Sequence, residues 1–254
     1  MNPSIDGSET GMIPTTRLVA KDVSFSYHGN DILTDVSLSL RGGNVVGVVG
    51  PNGVGKTTLF SLLVGDLSPR SGSVAVNGVP VAEMTDRSGI FGVSLPSYGF
   101  SSALSVRSAL SDVCSALGAQ RDTLARLKRR FGVDSFEHKR IGKLSTGMRK
   151  KFELVVAAMK EPPIMLLDEP TNGLDVESVA QLRCFVGECR QRGCLILVSS
   201  HSMSELDSVA DSLIGVHDGS VAMLETFQPG VPGSAERSYQ TMSTAEGGRR
   251  DAEK

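Results

Sequence analysis

Residues Val45 to Val49 form an unbroken apolar run, and the next nine residues read GPNGVGKTT before apolar residues resume. A short apolar run with no alternation reads as a strand buried on both faces. Gly50, Gly53 and Gly55 punctuate the turn that follows, and Thr57 to Val64 reads as a helix. Strand, glycine loop and helix together make an α/β unit with a parallel sheet. The loop also fits G-x-x-x-x-G-K-[ST], a phosphate-binding pattern whose required context is that same strand and helix. Backbone N–H groups of Gly50, Asn52, Gly53, Val54, Gly55 and Thr58 can approach phosphate oxygens, while Pro51, which has no N–H, shapes the turn. Lys56 is placed to reach the β- and γ-phosphates, and the Thr57 hydroxyl to ligate Mg²⁺.

Two more continuous apolar runs, Ile164 to Leu167 and Leu195 to Val198, read as further buried parallel strands. Each gives way to polar residues, where an open α/β sheet carries its ligand. The first ends in Asp168-Glu169. Asp168 can hold Mg²⁺ through water, and Glu169 can polarise an attacking water as general base. Val19 to Tyr27 and Val36 to Leu40 alternate apolar and polar residues, as half-buried strands do. Asn77-Gly78, flanked by Val74-Ala75-Val76 and Val79-Pro80-Val81, is a hairpin signal. A small antiparallel layer is therefore expected near the N-terminus. From Ser101 to Lys160 the spacing is helical, with four basic residues between Arg126 and Arg130 that suit either a solvated helix face or a docking surface.

In LSTGMRKK, Ser145 is a helix N-cap and Met148, Phe152, Val155 and Met159 form an apolar stripe behind it. Such a helix start, with Ser145 and Gly147, offers a hydroxyl and N–H groups to a phosphate. It is expected to serve a second phosphate-facing surface, apart from the glycine loop. Asp175 is able to cap the helix after TNGLD, and Ser202-x-x-Glu205 reads as a capping box.

Composition sets outer limits. The chain has 254 residues and a formal net charge of −2, which argues against a dedicated nucleic-acid binder. Cys114, Cys184, Cys189 and Cys194 lack paired spacing and read as reduced thiols of a cytoplasmic protein. There is no signal-peptide pattern and no apolar run of membrane-spanning length, so a membrane role needs a partner chain. Residues 1–16 are expected to be a disordered arm, 17–226 one ATPase domain with a helical subdomain at about 98–160, and 227–254 a disordered tail.

The order GPNGVGKTT, LSTGM, LLDEP resembles the ATP-binding cassette (ABC) ATPases, and the resemblance covers roughly Leu18 to Leu224. It implies an α/β P-loop NTPase fold of ABC type, with a mixed sheet, an antiparallel layer and a helical subdomain. It also implies an ATPase that uses ATP and Mg²⁺ and works with a permease subunit and a second ABC ATPase subunit. That pair would be cytoplasmic and peripheral on the inner face of the cell membrane. Two cassettes would enclose ATP head to tail, each site joining Lys56, Thr57, Asp168, Glu169 and His201 of one chain to Ser145 and Gly147 of the other. TNGLD is similar to the D-loop of the family, with Asp175 near nucleotide, and His201 matches its switch histidine, expected to contact the γ-phosphate. Tyr27 stands where the family carries an aromatic that stacks on adenine, a contact of about 1–3 kcal/mol.

Two departures stand out. SLPSYG puts Ser97 where the family has the glutamine of its Q-loop, so metal contact there would pass through water. LSTGM replaces LSGGQ, and its methionine resembles exporter cassettes with separately encoded permeases. Two other readings compete with a transporter subunit. One is a soluble ABC ATPase, against which the short interval between loop and signature and the single cassette argue, except in cluster assembly. The other is a module holding ATP without turnover, motivated by Ser97 and opposed by Glu169 and His201.

Overall fold

A computed structural model describes residues 16–95 and 99–252. Strands β1 (Arg17–Tyr27), β2 (Asn30–Arg41), β4 (Ser71–Val76) and β5 (Val79–Pro80) form an antiparallel sheet in the order β2-β1-β4-β5. The Asn77-Gly78 turn closes β4 onto β5 with φ of 52° and 84° at its two residues, the left-handed pair that a tight hairpin requires. A second sheet runs β10-β9-β3-β8-β7-β6 and is parallel except for β10. Its strands are β3 (Val45–Val49), β6 (Phe91–Ser94), β7 (Ile164–Asp168), β8 (Leu195–Ser199), β9 (Ser212–His217) and β10 (Ser220–Met223).

The unbroken apolar runs are explained by what covers each face. Val46, Val48, Leu166 and Leu197 join a core with helix α1 (Lys56–Val64) and the antiparallel sheet. Val45, Val49, Met165, Leu167, Ile196 and Val198 face a second core. That core is built with α2 (Val106–Ala116), α3 (Arg121–Arg130), α4 (Thr146–Ala158) and α5 (Val176–Gln191). Each strand is thus sealed on both sides, and no position along it can be polar without burial.

The basic run of α3 is mostly paired within the chain. Arg126 meets Glu161, Arg130 meets Glu188 at 2.6 Å, and Lys128 meets Asp134 and Glu137. The bond from Lys128 holds the Glu137 carboxyl below its usual range, against the opposing effect of burial. These pairs are partly exposed, so each contributes little to stability.

Four sequence expectations meet a different outcome or none. The arm 1–15 and Ser97, with Pro96 and Tyr98, lie outside the described residues. Within the tail expected to be disordered from 227, the described residues are instead ordered: Phe227 and Ala235 are buried, and α7 spans Ser234–Ala252. Ala235, Tyr239 and Met242 recur at helical spacing and pack against the second core, a stripe too sparse to stand out in a polar segment. Met242 sits so close to Gly215 of β9 that a Cβ there would lie 2.3 Å from its sulfur. Buried Asp207, at the end of helix α6 (Met203–Asp207), accepts hydrogen bonds from the N–H groups of Gly233 (2.6 Å) and Ala235 (2.8 Å). Asp207→Ala would strand both donors, and denaturant titration should show a loss of about 2–4 kcal/mol.

The capping box at Ser202 does not form. No side chain caps α6, because Glu205 accepts from Thr171 (2.8 Å) and Ser200 (3.1 Å) instead. A partly buried carboxylate with two hydroxyl donors at hand satisfies those first.

Candidate active site

The turn after β3 keeps Gly50, Gly53 and Gly55 at φ of 156°, 79° and 113°. Gly53 and Gly55 lie in the left-handed region, where a side chain is strained. At Gly50 a Cβ would fall 2.5 Å from the Val216 carbonyl oxygen, so the strand end and loop approach β9 too closely for any other residue. The loop delivers Lys56 to the first turn of α1, where it is buried. Its Nζ donates to the carbonyl oxygens of Gly50 (2.8 Å) and Pro51 (3.1 Å), closing the loop on itself. Beside it lies an open cavity of about 220 Å³ lined by Asn52, Gly53, Gly55, Lys56, Thr57, Thr58, Asp168 and Glu169.

Sheet topology brings the acidic pair here. β7 and β8 run parallel with Asp168 opposite Ser199, so both carboxyl ends open on the same edge as the glycine loop. The Thr57 hydroxyl donates to Asp168 Oδ2 at 2.6 Å, and the Ser199 hydroxyl donates to Oδ1. A hydroxyl and a carboxylate oxygen this close form a hard-oxygen pair that suits Mg²⁺, which takes few protein ligands and keeps waters or phosphate oxygens for the rest. Among the described residues no group of three or more His, Cys, Asp or Glu could hold a metal, so protein groups supply only part of such a shell.

Glu169 has φ of 48°, a left-handed backbone that costs a non-glycine residue of order 1–3 kcal/mol. Its N–H donates to Ser199 Oγ at 2.9 Å, and its Oε2 lies 2.7 Å from His201 Nδ1. Because a carboxylate accepts, the contact places a proton on Nδ1. Glu169 is mostly covered while His201 is largely exposed. Thus Lys56, Thr57, Asp168, Glu169 and His201, from three separate segments, come together around one edge.

Ser145 and Gly147 do not line this cavity. Ser145 caps α4 by accepting from the Met148 N–H at 3.3 Å. Gly147 abuts the TNGLD segment, where a Cβ would stand 2.3 Å from the Gly173 carbonyl oxygen. Asp175 caps α5 through the Ser178 N–H at 2.7 Å, and its bonds to Ser178 hold its carboxyl below the usual range. Tyr27 ends β1 with its ring half exposed, edge-on to Phe25 at 4.7 Å between centroids.

Two participants escaped sequence reading. Ser199 is simply the first polar residue after an apolar run, and Lys150 stands in a run of basic residues; only strand register and helix docking reveal their bonds to the Asp168-Glu169 segment. A larger cavity, about 400 Å³, lies elsewhere, at the opposite end of β7 and β8. Burial pushes the thiols that line it, Cys189 and Cys194, up to about 11 and about 12. It holds none of the groups that the phosphate loop needs.

Comparison with known proteins places this geometry. The ABC transporter family model matches residues 33–172. The chain is 36% identical over 196 residues to the ABC transporter ATP-binding protein NatA of Bacillus subtilis, covering 74% of this chain and 78% of that one. It is 28% identical to the lantibiotic transport ATP-binding protein SrtF of Streptococcus pyogenes (83% and 91% covered) and 29% to the thiamine import ATP-binding protein ThiQ of Shigella flexneri (79% and 88%). A solved ATP-binding subunit of an ABC transporter superposes with a TM-score of 0.78 at 26% identity, covering 88% of this chain and 98% of that one. A bacterial Atm1-family ABC exporter with ATP bound superposes at 0.72 over 83% of this chain and 38% of its own, a likeness of fold at 21% identity. With the phosphate loop, acidic strand end and histidine gathered at one sheet edge, this chain belongs to the ABC transporter family as an ATP-binding subunit with the ATPase fold.

Proposed function

We propose that two copies of this chain, or one copy and a related cassette, enclose two ATP molecules with Mg²⁺ and drive a separately encoded permease by closing and reopening. The carrying observation is a division of labour: one cavity collects Lys56, Thr57, Asp168 and Glu169, while Ser145 and Gly147 lie outside it. In this reading Lys56 exchanges its two loop carbonyls for phosphate oxygens. Thr57 and Asp168 hold Mg²⁺, which offsets phosphate charge when bound. Glu169 takes a proton from the attacking water while His201 fixes its carboxylate through Nδ1 and stands beside the phosphate. Tyr27 stacks on the adenine, and Asp175 stiffens the segment against which Gly147 rests. Ser145 and Gly147 of the second copy present a helix N-terminus to the same nucleotide.

No helix among the described residues is long and apolar enough to cross a membrane. In this reading the chain meets the membrane through its permease, as a peripheral subunit on the cytoplasmic face. Met148 in the signature favours export, and names among the relatives run in both directions. The dimer is tested with Glu169→Gln protein by light scattering. Dimer mass should appear with ATP and Mg²⁺ and vanish without nucleotide. A monomer at high protein concentration with ATP bound counts against the composite site.

A further inference from the structure

The Asp168-Glu169 peptide unit is gripped on both sides. On one side the Glu169 N–H donates to Ser199 Oγ at 2.9 Å; on the other the Asp168 carbonyl oxygen accepts from Lys150 Nζ at 2.8 Å. Lys150 belongs to α4, the helix that begins at Ser145, and its side chain is 13% exposed. Three residues on, Glu153 is 16% exposed, lies 3.4 Å from Lys150 Nζ and accepts from the Ser94 hydroxyl at 3.3 Å. Ser94 is the last residue of β6, just ahead of the LPS segment that carries Ser97. The chain of contacts thus runs from the end of β6, through one helical turn of α4, to the backbone that carries Glu169.

Two features make this arrangement more than packing. The peptide it holds leads into a residue at φ of 48°, a backbone that relaxes unless its surroundings over-determine it. Carbonyl and N–H of one peptide unit point in opposite directions, so the lysine and the serine together fix its rotation, which neither fixes alone. The Glu153 carboxylate orients the ammonium and balances its charge in a poorly hydrated place.

We propose that Lys150 and Glu153 are positioning residues for hydrolysis: they form a strut by which the signature helix and the end of β6 set the orientation of Glu169. This rests on Glu169 acting as general base. Any tilt of α4 toward a second cassette would then be felt at the Glu169 backbone within the same chain, while the phosphate loop is untouched.

The test uses the purified full-length chain with Mg²⁺ and ATP. Lys150→Met keeps the length of the side chain and removes the donor. It should lower kcat at least tenfold with KM for ATP within about twofold, since a misplaced group costs rate without binding. Lys150→Arg, which restores a donor, should recover most of the loss. Hydrogen exchange read by mass spectrometry should rise in the peptide spanning 165–173 in Lys150→Met and not in Lys160→Met, a lysine just beyond the far end of the same helix. Glu153→Gln should give a smaller fall in kcat and, if Lys150→Met is poorly folded, carries the test through the same exchange measurement. Unchanged kcat and exchange in Lys150→Met, with Glu169→Gln inactive, would overturn the strut alone. An active Glu169→Gln enzyme would instead remove the base on which it rests. Loss in Lys150→Met that arginine does not recover, or a rise in KM as large as the fall in kcat, would also overturn it.

Discussion

Glu169→Gln should cut ATP turnover by about 10²–10⁴ while leaving nucleotide affinity nearly unchanged, a barrier increase of about 3–5 kcal/mol. The substitution is close to isosteric and leaves the backbone N–H bond to Ser199 in place. A glutamine carbonyl can still accept from His201 Nδ1, so the 2.7 Å contact can persist. Lys56 and Thr57 keep all their partners, and phosphate binding depends on them and on the loop. What is lost is the capacity to take a proton. Steady-state phosphate release and equilibrium binding of a fluorescent ATP analogue would separate the two effects. Turnover within threefold of the parent would end the general-base assignment, and a matching loss of affinity would make Glu169 a binding residue.

Gly147→Ala should reduce turnover by about 10² through a route that spares the first phosphate site. The new methyl would stand 2.3 Å from the Gly173 carbonyl oxygen, a backbone atom that no side-chain rotation can move aside. Either the start of α4 or the TNGLD turn must move, so the second phosphate-facing surface shifts away from its place in the pair. Binding of ATP to the isolated chain should survive. The sharper version mixes two crippled proteins. A heterodimer of Gly147→Ala with Glu169→Gln contains one site with an intact Glu169 and an intact opposing signature, so mixing should restore turnover that neither protein shows alone. Failure to restore any activity at any mixing ratio would count against shared sites.

The parts legible in the sequence were those whose physics is local. The glycine loop and the Asn77-Gly78 hairpin announce themselves because their backbone conformations restrict residue choice. The β3, β7 and β8 runs do so because both faces are buried. Strand β6 was not visible, since four residues containing Gly92 carry no pattern; that glycine is needed because a Cβ would lie 2.0 Å from the Ala157 carbonyl of α4. Helix α7 was hidden for a related reason: its cap is supplied by Asp207, far earlier in the chain. At Ser202-x-x-Glu205 a local rule was legible and misleading, because Thr171 and Ser200 offered Glu205 better partners. Ser199 and Lys150 show the same limit in the active site. Their roles exist only once strand register and helix docking have been set.

Strand β3 pairs with no neighbour in sequence: Val45 lies opposite Ile196 of β8, and Val46 opposite Ser212 of β9. During synthesis the glycine loop therefore emerges long before the strands that hold it in place. The early chain carries a fully apolar strand with both edges open, a species prone to sticking to its like. Late pairing of this kind is also slow, because distant ends must meet before any contact is gained. Capture of nucleotide by the loop then signals that the chain has been made at least as far as β9 and threaded correctly. The same topology that builds the site makes ATP a ligand of the finished protein, and cells short of ATP would be expected to leave more of this chain to chaperones.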